Sequence, residues 1–196
     1  MDKIPNLLSS LRLLMAPLFL YLFIQDDLLL RGISLVVFAV AAITDAVDGY
    51  LARKYEVESE VGIFLDPLAD KFLTFAGFVC LPFLDPSQFP WWAISLIVLR
   101  DVSITLLRIY TKRKNITLKT RNTAKAKTAI QMAFLYITLL TGFLLLFGGG
   151  FGEMVRSVFD TNIFYWGMMI VTAVTVYSGV EYIVVNRRIL GSDSSS

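Results

Sequence analysis

Six apolar runs separated by short polar breaks give the chain its pattern. They fall at Leu7–Ile24, Leu30–Leu51, Gly62–Leu84, Trp91–Thr111, Ala124–Phe147 and Ile163–Val185. Each is near the ~20 residues a helix needs to cross a bilayer. The breaks Gln25-Asp26-Asp27, Asp85-Pro86-Ser87 and Gly148-Gly149-Gly150 carry ordinary turn chemistry. The pattern predicts an all-α, polytopic membrane protein with six transmembrane helices. It forms one membrane domain over residues 1–190, followed by a flexible tail, 191–196. Composition agrees: 56% of the 196 residues are hydrophobic, too many for an ordinary soluble domain. No cleavable leader is expected before the first run.

Lys and Arg set an orientation. Lys3, Arg53, Lys54, Lys112, Arg113, Lys114, Lys119, Arg121, Lys125, Arg187 and Arg188 gather on one side, and the loops of the other carry only Arg31 and Arg156. The positive-inside rule then places both termini and the 111–125 loop in the cytoplasm. Trp91, Trp92 and Trp166 open the fourth and sixth runs on the opposite face, where interfacial aromatics belong. There is no histidine, which excludes imidazole acid–base chemistry and His-ligated zinc. The one cysteine, Cys80, lies in an apolar run and cannot form a disulfide within the chain. A nucleic-acid partner is not expected.

Four carboxylates interrupt the apolar pattern between the second and third runs. Asp45 and Asp48 are three apart, with Gly49 and Ala52 on the same helical stripe; Asp66 and Asp70 are four apart, with Gly62 one turn earlier. At 1.5 Å of rise per residue, Asp45 and Asp48 lie roughly 9 and 5 Å from the end of the second run, and Asp66 and Asp70 roughly 6 and 12 Å into the third. Both pairs therefore reach one depth below the cytoplasmic surface. Taken singly, each aspartate reads as a solvated helix end. Four carboxylates in one small volume of low dielectric repel strongly and call for cations, and all-oxygen ligands suit hard ions such as Mg²⁺, Mn²⁺ or Ca²⁺. Pro67 leaves two options open: a helix that begins near it, or a kink that aims Asp66.

The fourth run carries Arg100, Asp101 and Arg108. Snorkelling accounts for Arg108 near the cytoplasmic end. Arg100 lies roughly 17 Å in, too deep to snorkel, with Asp101 beside it as a candidate partner. Lys125, Lys127, Thr128 and Gln131 follow at the start of the fifth run. Guanidinium and ammonium groups near a metal–carboxylate site suggest an anionic second substrate. For Arg121, Lys125 and Lys127 singly, positive-inside loop charge is the plainer reading.

Asp45 to Asp70 matches, position for position, D-x2-D-G-x2-A-R-x8-G-x3-D-x3-D through Asp45, Asp48, Gly49, Ala52, Arg53, Gly62, Asp66 and Asp70. This stretch resembles the signature of the CDP-alcohol phosphatidyltransferase family. Within that family, Lys3–Arg12, the R-D-x6-R of Arg100, Asp101 and Arg108, and the K-x-K-T-x2-Q of Lys125–Gln131 resemble the bacterial phosphatidylglycerophosphate synthase branch. Asp101 stands where that branch commonly has glutamate.

The resemblance implies a metal-dependent membrane enzyme, by analogy a homodimer, that displaces CMP from CDP-diacylglycerol with an alcohol. Asp45, Asp48, Asp66 and Asp70 would hold two divalent ions, Mg²⁺ or Mn²⁺, with Asp70 also the base. Asp48, Gly49, Ala52, Arg53 and Gly62 would lie along the CDP-lipid. Arg100, Arg108, Lys125 and Lys127 would receive the phosphate of sn-glycerol 3-phosphate. Cardiolipin synthases and phosphatidylinositol phosphate synthases differ in the acceptor alone. A divalent-cation transporter would also need intramembrane carboxylates, but spread along a path across the bilayer; beyond the four, only Asp101 and Glu181 lie in the runs.

Overall fold

A computed structural model describes residues 3–55, 62–114, 118 and 122–192, with side chains for all of these except 3–10, 12, 45–55, 62–70, 112, 113, 122–125 and 188–192. The helices are α1 (Lys3–Phe23), α2 (Leu28–Tyr55), α3 (Gly62–Cys80), α4 (Trp91–Arg113), α5 (Asn122–Leu144), α6 (Gly149–Phe159) and α7 (Ile163–Ser192), with a 3₁₀ turn at Leu81–Phe83. The chain is all-α, as the periodicity predicts. α3 is helical from Gly62, so Pro67 lies inside it rather than at its start.

The expectation of six transmembrane helices is corrected. Among the described residues only two helical stretches, Ala126–Leu144 and Ile163–Arg187, are long and apolar enough to cross a membrane. Within the described residues, the apolar stretches of the first three helices, Leu13–Phe23, Leu28–Thr44 and Lys71–Phe83, are shorter than the ~20 residues a span needs. α4 has the length, but Arg100, Asp101 and Arg108 break its apolar character. Counting apolar residues in long runs overlooked the cost of the charged residues that such runs contain.

α1 packs along α2 and α3, α4 along α3 and α7, and α5 along α2, α3 and α7. The core is aromatic at one end: Phe19, Phe23, Phe38, Phe78 and Phe89 are buried, Phe19 and Phe38 lie 4.9 Å apart, and Phe89 touches Phe159 and Phe164. Leu135, Leu139 and Met168 extend it along α5 and α7. Leu14, Leu29, Val36, Ile43, Leu99, Ile137, Ile170 and Val180 face outward. So large an apolar exterior suits acyl chains better than water.

Two polar features fix the end of the bundle away from the aspartates. Asp27 Oδ1 accepts from Leu30 N at 2.8 Å, capping the start of α2. Arg31, read from the sequence as a loop charge, is buried within α2. Its Nε donates to Phe23 O at 3.0 Å, its Nη1 to Gly142 O at 2.9 Å and its Nη2 to Asp26 at 2.9 Å. One guanidinium thus serves carbonyls at the C-terminal ends of both α1 and α5, where a positive charge also meets the negative helix poles.

α6 is an element the pattern did not predict, because Gly148-Gly149-Gly150 reads as a plain turn. Gly148 is extended, and Gly149, the first residue of α6, takes φ +74°. At Gly152 a Cβ would sit 1.8 Å from Phe147 O, so the α5–α6 corner closes only around a hydrogen atom. Gly152→Ala is expected to destabilise the fold by about 1–3 kcal/mol, since backbone must move to admit the methyl. Thermal unfolding in detergent checks this, and an unchanged midpoint would show that the corner relaxes freely.

Candidate functional site

α4 presents Arg100, Asp101, Ile104, Thr105 and Arg108 along one broad face, at successive one-turn steps. Lys127, Thr128, Ala129 and Met132 of α5 and Lys71 of α3 complete the wall of a cavity of about 640 Å³. Lys71, Arg100, Arg108 and Lys127 line it against Asp101, the one carboxylate among the described lining residues. Among these described groups cations outnumber the carboxylate, a balance that favours anions along this wall.

The cations are mounted in detail. Lys127 Nζ donates to Asp101 Oδ1 at 2.5 Å and to Oδ2 at 2.7 Å, and both side chains are almost wholly buried. Arg100 Nη1 donates to the same Oδ1 at 2.9 Å, while Nη2 donates to Ser178 Oγ on α7 at 2.9 Å. Ser178 Oγ in turn donates to Thr175 O, and Thr175 Oγ1 accepts from Gln131 on α5. The aliphatic stem of Arg100 lies against Gly179, where a Cβ would come within 2.8 Å of its Cγ. Arg108 Nε donates to the Tyr182 hydroxyl at 3.3 Å, and its guanidinium carbon sits 5.0 Å from that ring's centroid.

The structure thus brings Arg100, Arg108 and Lys127 to one cavity. Lys125, Asp45, Asp48, Gly49, Ala52, Arg53, Gly62, Asp66 and Asp70 have side chains outside those described. Their backbone is helical, however, so Asp45 with Asp48 and Asp66 with Asp70 each share a helix face, and α2 and α3 pack together. A set of carboxylates alone, two from each helix, fits a hard divalent cation. Among the described residues no group of three or more metal-ligating side chains gathers. Sequence reasoning missed Lys71, Ser178 and Tyr182. Lys71 had a signal, since it follows Asp70 directly; Ser178 and Tyr182, one turn apart on an apolar helix, had none.

Apolar helices with an outward greasy surface, packed around an ionic cavity, define a membrane-associated, multi-pass helical protein with a site attractive to anions. Residues 2–177 match the CDP-alcohol phosphatidyltransferase family. The chain belongs to that family, whose mechanism depends in general on a divalent cation. It is 30% identical over 177 residues to a CDP-diacylglycerol–glycerol-3-phosphate 3-phosphatidyltransferase of Rickettsia bellii, covering 90% of this chain and 93% of that protein. It is 37% identical over 117 residues to a Mycobacterium tuberculosis protein named "Probable phosphatidylglycerophosphate synthase", covering 58% of this chain and 55% of that one. The match thus spans about half the length of the mycobacterial relative. A Schizosaccharomyces pombe cardiolipin synthase (CMP-forming)/mitochondrial hydrolase fusion protein is 34% identical over 196 residues, 91% of this chain and 30% of the fusion.

Proposed function

We propose that this chain transfers the phosphatidyl group of CDP-diacylglycerol to sn-glycerol 3-phosphate and releases CMP, at the cytoplasmic side of the inner membrane. The observation that carries the reading is the cationic cavity, whose described lining includes Lys71, one residue beyond Asp70 in the chain. An acceptor that is itself a phosphate needs fixed positive charge to leave water. A neutral acceptor does not.

In this reaction a hydroxyl oxygen of the acceptor forms a bond to the phosphatidyl phosphorus, and the bond from that phosphorus to the CMP oxygen breaks. Asp70 takes the hydroxyl proton, a task for which the chain has no histidine. Asp45, Asp48, Asp66 and Asp70 would hold Mg²⁺ or Mn²⁺ ions, which when bound supply positive charge to the pyrophosphate and the departing CMP. Gly49, Ala52, Arg53 and Gly62 would run beside the nucleotide, the small residues Gly49, Ala52 and Gly62 leaving room for its close approach. Arg108 and its neighbours hold the acceptor phosphate within reach of the donor.

The test is CMP release from CDP-diacylglycerol by purified protein, with sn-glycerol 3-phosphate, phosphatidylglycerol and inositol phosphate supplied separately. Turnover with the first supports the assignment. Turnover with phosphatidylglycerol alone would make this a cardiolipin synthase instead. Arg108→Ala is expected to raise the acceptor KM about tenfold or more, the equivalent of one charged hydrogen bond of ~1.5–3 kcal/mol, with the donor KM little changed. Arg108→Lys is expected to recover only part of this, because a point charge does not reproduce a planar fork on phosphate. Unchanged acceptor KM in Arg108→Ala would remove the argument for a phosphate-bearing acceptor.

A further inference from the structure

The cations on the cavity wall are not equivalent. Arg100 and Lys127 both terminate on Asp101, which is 2% exposed and accepts three hydrogen bonds of 2.5–2.9 Å. Arg108 rests on Tyr182 instead, and among the described residues it makes no ion pair. Two buried cations side by side repel, so a carboxylate between them is what makes their joint burial tolerable. It also dictates where each one points. Arg100 is held at both ends of its guanidinium, by Asp101 and by Ser178, and its Nε is buried with no hydrogen-bond partner among the described residues. That Nε lies against Gly179, so what Arg100 can offer an arriving anion is the second hydrogen on each terminal nitrogen.

We propose that Asp101 is a positioning residue for the anionic substrate. It touches no reacting atom. By drawing Lys127 from α5 onto α4 and fixing Arg100 against Ser178 of α7, it turns their remaining N–H groups toward one phosphate-sized anion, which Arg108 meets from the cytoplasmic end. This rests on the functional reading above and assigns a task to the acidic residue that reading leaves out.

The sign of the effect separates this from simpler roles. If Asp101 acted only through its charge, removing it would make the cavity more positive and tighten anion binding. If it were only a structural prop, losing it would lower the folded fraction and leave both KM values of the surviving protein alone. As a positioning residue it should do neither. Asp101→Asn is expected to raise the acceptor KM about tenfold, with the CDP-diacylglycerol KM within about twofold of wild type. Asp101→Glu keeps the charge and the two acceptor oxygens, and is expected to restore the acceptor KM to within a few-fold. Ser178→Ala removes the second anchor of Arg100 without touching a charge, and is expected to raise the same KM a few-fold.

The experiment measures kcat and both KM values for these three variants, and the thermal stabilisation of each by inorganic phosphate without donor. An unchanged or lowered acceptor KM in folded Asp101→Asn overturns the proposal. If that variant does not fold, an unchanged KM in Ser178→Ala overturns it. Should wild type release no CMP with sn-glycerol 3-phosphate, the functional reading fails. The role of Asp101 is then decided by phosphate stabilisation alone: it stands if Asp101→Asn loses stabilisation that wild type shows, and falls if the two match or wild type shows none.

Discussion

Asp66→Asn is expected to lower CMP release by more than about 100-fold while the protein still folds and inserts. The substitution keeps the side chain's shape and removes its charge. Disturbing only the groups behind a metal ligand costs 10–100-fold, so loss of an anionic ligand itself should exceed that range. Asp45→Asn should behave in the same way, because the proposed site uses the pair on α2 and the pair on α3 as ligands of the same ions. Added Mg²⁺ or Mn²⁺ should sustain the wild-type rate and chelator should abolish it. A normal melting profile in both variants would show that the loss is chemical. Wild-type turnover by the two variants in the presence of chelator would sink the metal reading altogether.

Arg31→Ala is expected to cost about 3 kcal/mol or more of stability, the second large effect. The guanidinium supplies charged hydrogen bonds to Phe23 O and Gly142 O, and each such bond is worth ~1.5–3 kcal/mol. Its loss leaves carbonyls at two helix ends without a donor in a buried setting. The ion pair with Asp26 should contribute little to this figure, since Asp26 is 92% exposed. Asp26→Ala is therefore the control, expected to shift the unfolding midpoint far less. Equal shifts in the two variants would mean that the surface pair, not the helix-end carbonyls, is what matters. Arg31→Lys should fall between them, having one nitrogen to share between two carbonyls.

The comparison of sequence with structure turns on what can be read locally. α4 starts at Trp91 as expected, because Pro90 and two interfacial tryptophans mark its beginning. The contact of Arg100 with Asp101 was legible for the same reason: the two are neighbours in the chain. The contact of Asp101 with Lys127 was not, since 26 residues separate them and only the packing of α4 and α5 on their shared neighbours α3 and α7 decides which cation arrives. Arg31 misled because it follows the turn at Asp26-Asp27 and so looks like loop charge. Nothing in its neighbourhood announces that the end of α5 will come down on it. The number of spanning helices was overstated because a run that tolerates an occasional charge scores as apolar throughout, although a bilayer would meet each charge individually. The four aspartates stand out in the sequence through their spacing, but their side chains lie outside those described; the basic cavity was reached from the charge pattern only in part.

The bare backbone at Gly179 carries a constraint on inheritance. With the stem of Arg100 spanning from 2.8 Å at Cγ to 3.6 Å at Cδ from where a Cβ would be, the two positions cannot drift separately. A methyl at 179 would evict the arginine, and a smaller residue at 100 would leave a groove that any side chain at 179 could fill. Residues 79 apart in the chain should therefore change as a pair in any descendant that alters either one, and a library randomised at both should return survivors in matched combinations rather than as independent lists.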